Sequence, residues 1–135
     1  MNRIIYEDTS GNACVVTPSP NWVGTLTELA VRSVPEGVAY SIIPTDDFPQ
    51  DKLFRNAWKV SEGALVTDLP KAKLIAHEKR RVERAELFAP LDVEATIPSR
   101  AVAAEAARQV IRNEDDAKQA AIDGVVDEDE LRGVM

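Results

Sequence analysis

The chain has 135 residues, 16 basic and 23 acidic side chains, a net charge of −7 and one cysteine. That length suits one modest core or two small lobes. The negative balance argues against general binding to nucleic acid or anionic membranes, and a single thiol excludes an internal disulfide. No apolar run approaches the roughly 20 residues of a membrane span, and MNRIIYEDTSG lacks the apolar core of a signal peptide, so the reading is a soluble protein made in the cytoplasm.

In chain order, Arg3 to Tyr6 and Ala13 to Thr17 are β-rich runs separated by the turn formers of EDTSGN, and they predict a hairpin. PSPNWVG is too rich in proline and glycine for regular structure. Thr25 and Glu28 then have capping-box spacing, so TLTELAVRS reads as a two-turn helix, stopped by VPEG. Val38 to Ile43 reads as a strand ending at Pro44. TDDFPQDKLF is an acidic loop that returns Phe48 and Phe54 to the lobe. Asn56 to Val60 and Ala64 to Thr67 flank SEG and predict a second hairpin, with a left-handed residue at or near Gly63 and Trp58 pointing inward.

Near Thr67 the pattern changes from period 2 to period 3.6. Asp68 is placed to cap a long helix through Val93, with Pro70 tolerated in its first turn. On the helical wheel Leu74, Ile75, Val82, Ala85, Phe88 and Ala89 share one side, expected to be the buried stripe, while Lys73, His77, Arg80 and Arg84 form a basic ridge on another. Pro90 and Ile97-Pro98 require a break, and Ser99 is a good N-cap for RAVAAEAARQVIRN. The small side chains of Val102, Ala103, Ala106 and Val110 permit close packing in an antiparallel helical hairpin. EDDAKQAAIDG reads as an acidic tail segment, and DEDELRGVM as a last short helix capped by Asp127. The fold class expected is α+β: a small β-rich lobe with one short helix (1–67), then a helical hairpin and a short terminal helix (68–135).

Residues with chemical potential have bland readings. His77 is the only histidine, and its neighbours on the ridge are cations that cannot ligate a metal. Cys14 reads as a small core residue. Asp46-Asp47 and Asp127 to Glu130 lack calcium-loop spacing and read as solvated turns and helix N-termini. No phosphate-binding loop, dinucleotide fingerprint or nucleophile elbow occurs. The expectation is therefore no catalytic residue, no cofactor and no metal.

Several phrases carry a family resemblance: RIIYEDTSGNACVVTPSP, VPEGVAYSII, LFRNAWKV, DLPKAKLIAHEKRRVERAELFAPLDVEA, RQVIRN and DEDELRG. Together they resemble a family of small bacteriophage proteins whose genes sit among tail and tail-fibre genes, described as tail, tail-fibre or tail-assembly chaperone-like. The chain departs from that pattern between Ala95 and Ser99, where a proline-broken link replaces a continuous helix. The resemblance implies a non-catalytic virion or tail-assembly protein, located in the virion or in the host cytoplasm during assembly. Its partners would be other phage structural proteins, or further copies of the chain. The alternative is a small phage regulatory protein docking on a host or phage factor, with nucleic acid the less favoured target, through the basic ridge.

The surfaces expected to make such contacts are Lys73, His77, Arg80 and Arg84 on the ridge and Val102, Ala106 and Val110 on the following helix. The middle of the chain (71–104) carries seven basic and five acidic residues, and the last stretch (105–135) four and nine. The acidic groups Glu114-Asp115-Asp116 or Asp127 to Glu130 are thus candidates to face the ridge, within one subunit or across to a neighbour; the phage setting favours the neighbour.

Overall fold

The computed structural model describes residues 1–135, which form two compact units, Met1–Asp68 and Leu69–Met135. The class is α+β, with small antiparallel sheets preceding long helices.

In the first unit, β1 (Asn2–Glu7) pairs with β2 (Ala13–Val16), aligning Ile5 with Val15 and Tyr6 with Cys14. The connecting turn is built by Asp8, whose Oδ1 accepts from the backbone N–H groups of Ser10 and Asn12, each at 2.9 Å. Next comes α1 (Leu26–Ser33). Thr25 Oγ1 accepts from the Glu28 N–H at 3.1 Å and Glu28 Oε2 accepts from the Thr25 N–H at 3.2 Å, which closes the capping box. β3 (Tyr40–Pro44) then lies antiparallel on the other side of β1, giving the order β2-β1-β3. This strand is shorter than the pattern suggested, because Val38 closes the turn that begins at Pro35 and Ala39 lies between that turn and the strand.

The second sheet is the hairpin β4 (Trp58–Ser61) and β5 (Ala64–Thr67), in which Ser61 faces Ala64. The connection is therefore two residues, Glu62 and Gly63, rather than the three of SEG. Both have positive φ, 51° and 76°, as a type I′ turn requires. Asn56 is not in the strand, since residues 55–57 form a single 3₁₀ turn. The core of the unit joins Ile5, Phe48 and Trp58, flanked by Ala13, Ile43, Val60 and Leu65. The Phe48 and Trp58 rings meet edge to face, 6.3 Å apart. Cys14 stands outside this cluster, half-buried, with its Sγ 3.9 Å from Asp8 Oδ2; its alternating position places it on the opposite face from Ala13 and Val15.

In the second unit, α2 (Leu69–Glu94) runs through Pro90, and α3 (Ala101–Gly124) returns against it after a six-residue link. Pro90 lies in the last turns, so a missing donor there does not end the helix. The link carries its own turn bonds: the N–H groups of Ala95, Thr96 and Ile97 donate to the carbonyls of Leu91, Val93 and Glu94, and Thr96 Oγ1 donates to the Val93 carbonyl at 2.6 Å. The N-cap of α3 is Arg100, with no side-chain cap bond, and not Ser99. A short α4 (Glu128–Val134) follows. Asp127 caps it, accepting from the Glu130 N–H at 2.8 Å. The segment EDDAKQAAIDG, expected to be an acidic tail, is instead the second half of α3, and Asp115 within it is buried. No helix is long and apolar enough to cross a membrane.

Candidate functional site

A helix of this composition would ordinarily turn its apolar stripe inward and its charges outward. In α2 the buried face mixes small apolar side chains with part of the basic ridge, while Glu78, Lys79, Arg81 and Glu86 stay in solvent. The residues that α2 buries are Ala72, Ala76, His77 and Arg80. Of the expected buried stripe, Leu74 is 67% exposed and Val82, Ala85 and Ala89 also face solvent; only Ile75 and Phe88 are half-buried. The basic ridge is not a free surface but the seam of the hairpin.

Every member of the ridge has a partner inside the unit. Lys73 Nζ donates to the backbone carbonyl of Asp123 at 3.0 Å, and His77 Nε2 is 2.7 Å from Asp123 Oδ1. Arg80 Nη1 and Arg84 Nη1 converge on one oxygen, Asp115 Oδ2, at 2.6 and 2.8 Å. Arg80 Nε donates to His77 Nδ1 at 3.3 Å. In that arrangement Nδ1 stands as the acceptor for Arg80 and Nε2 faces Asp123. The result is a chain of bonds from Asp115 through Arg80 and His77 to Asp123. Arg80 and Asp115 are only 5% and 6% exposed.

Two cations on one buried carboxylate leave an excess positive charge, and the structure places it where water can reach. The Arg84 side chain is 41% exposed, so solvent screens it. Burial pushes the Asp115 carboxyl up, but the hydrogen bond and charge of Arg80 and then those of Arg84 outweigh it, holding the group below its ordinary value. Further from the centre, Lys118 pairs with Glu83 at 3.2 Å and Arg108 with Asp92 at 3.1 Å. The Arg112 guanidinium sits 5.8 Å over the Phe88 ring.

The counter-charge expected opposite the ridge is thus supplied within one subunit, by Asp115 from the middle of α3, and Asp127 to Glu130 are engaged elsewhere. Asp127 caps α4, Glu130 Oε2 accepts from the Val126 N–H, and Glu128 pairs with Arg132. Asp123, Glu83 and Lys118 were not singled out by sequence. Their signal is only a charge at a spacing that becomes meaningful once the hairpin register is known.

The row of small residues expected to pack closely in the hairpin faces outward instead. Val102 is 85% exposed, and Ala103, Ala106 and Val110 lie out beside it, so this row does not pack against α2. The face of α3 turned inward holds Ala104, Asp115 and Ile122, with Ala107 and Ile111 half-buried between them. The interior of the unit combines this polar seam with the apolar side chains of Ala72, Ala76, Ala104, Ile122, Val125 and Leu131, and leaves Leu74, Val82 and Val93 on α2 and Val102, Ala106 and Val110 on α3 exposed. A seam whose central charges are paired with one another offers geometry for holding two helices in register. The exposed apolar side chains offer area for contact with something else.

Comparison with protein-family models, with curated proteins and with solved structures finds no match.

Proposed function

We propose that the chain is a non-catalytic bacteriophage virion or tail-assembly protein that works through protein–protein surfaces. The observation that carries this reading is the exposure of Leu74, Val82 and Val93 on one side of α2, each at least half exposed, with Glu78 and Asp92 between them. Large apolar side chains left in solvent among charged ones, in a chain with 29% charged residues, are the contact expected to be covered by another copy or by another structural protein of the particle. The phage setting comes from the resemblance carried by LFRNAWKV and by the phrase running from Asp68 through Leu91-Asp92-Val93. Docking through the basic ridge, the regulatory alternative, loses support because the ridge cations are already bonded to Asp115 and Asp123.

The test is mass spectrometry of purified particles together with deletion of the coding sequence. Stoichiometric presence in particles marks a virion component. Absence from particles with loss of infectious particles on deletion marks an assembly factor. A chain neither present in particles nor required for them would refute the proposal.

A further inference from the structure

The first unit carries five basic and nine acidic side chains, yet one open groove of about 720 Å³ is lined by three of the five basic residues and by none of the nine acidic ones. Arg3 reaches it from β1, and Lys52 and Arg55 from the loop before β4. The bond from the Arg55 N–H to the Lys52 carbonyl, 3.1 Å, closes a tight turn that sets both side chains at the same wall. None of the three is in an ion pair, whereas Arg80, Arg81, Arg84, Arg108, Arg112, Lys118 and Arg132 in the second unit all are. Arg3 is held with its guanidinium 5.2 Å over the Phe48 ring, and its Nε is shut off from solvent without an acceptor. Cations gathered without a counter-charge repel one another, and an oxyanion in the groove would offset that repulsion.

We propose that this groove binds a small phosphate ester of nucleotide size. The volume falls within the range of small-molecule sites, and three cations match the charge of one or two phosphate groups. Gln50 and Asn56 supply amide donors and acceptors for the heteroatoms of the ligand body, beside the apolar wall formed with Phe48. A polynucleotide fits less well, since three cations on an acidic protein do not make a backbone-long track.

Titration calorimetry of the full chain with ADP, and with adenosine as the uncharged counterpart, tests this. ADP is expected to bind saturably at one site per chain, to weaken as salt is raised, and to bind more tightly than adenosine. The exposed pair K52Q/R55Q should lower the affinity by about tenfold or more while leaving the melting curve unchanged. K79Q/R81Q, on the outer side of α2, should leave the affinity as it was. Absence of saturable ADP binding, ADP affinity indifferent to K52Q/R55Q, or tighter binding of a short single-stranded oligonucleotide than of ADP would each overturn the proposal.

Discussion

Replacing Asp115 by Ala removes the one carboxylate that neutralises both Arg80 and Arg84. Arg80 is 5% exposed and cannot turn to water without opening the hairpin, so its charge is left buried and uncompensated. Breaking a buried pair from one side costs about 3–5 kcal/mol. The helical unit spans Leu69–Met135. At roughly 0.05–0.15 kcal/mol per residue its own stability is about 3–10 kcal/mol, so the loss is of the same order as the whole. Urea unfolding followed by helical circular dichroism should show D115A melted or close to it. D115N, which keeps the shape and one acceptor, should lose about half as much. R84Q should cost only about 1 kcal/mol, because Arg84 is half in solvent. The decisive variant is R80M/D115L, which removes both buried charges and fills their space; it should recover most of what D115A loses. If D115A costs less than about 1 kcal/mol, the seam does not hold the helices together and the reasoning fails.

Other outcomes follow from the same geometry. The Asp115 carboxyl is held below its ordinary value in the folded chain, so its contribution is present in full above the ordinary aspartate range. It declines below that range and is gone once the pH has fallen through the folded value; acid unfolding of the helical unit should therefore be shallower in R80M/D115L than in the wild type. Glu62 holds a left-handed conformation that suits asparagine better, so E62N should raise the midpoint of unfolding of the first unit by the equivalent of about 0.5 kcal/mol. G63A should lower it by about 1–2 kcal/mol, since its φ is 76° and an added Cβ would stand 3.1 Å from Ser41 Oγ. T25A removes half of the capping box and should cost about 1 kcal/mol, seen as faster amide exchange in α1.

Local chemistry was readable wherever the partners are close in sequence. The Thr25–Glu28 box, the Asp8 turn, the glycine at the β4–β5 turn and the strand-to-helix change after Thr67 all rest on residues within a few positions of one another. The facing of α2 was not readable, because periodicity reports that a helix has two sides and not which one is covered. What decides it lies far off: Asp115 is 35 residues from Arg80, and Asp123 is 46 from His77. The same distance concealed the length of α3. Glu114-Asp115-Asp116 is a candidate to face the ridge, but its acidic, polar run reads as a tail segment until Arg80 and Arg84 are set opposite it. The first-unit groove was hidden for a similar reason, with Arg3 separated from Lys52 and Arg55 by most of the lobe.

The central claim is that a buried charge seam of His77, Arg80 and Asp115 joins the two long helices, and that exposed apolar side chains on α2 serve assembly. Sedimentation velocity of the purified chain, alone and mixed with the separated structural proteins of the particle, addresses it directly when run beside L74E/V82E/V93E. These three positions are exposed, so the substitutions should leave the helical unfolding curve unchanged. The account predicts that the wild type sediments as more than the 14.8 kDa monomer, alone or with a protein of the proposed particle, and that the triple variant sediments as the monomer both alone and in the mixture. A wild type that remains monomeric in every mixture, or a triple variant that assembles as the wild type does, would contradict it.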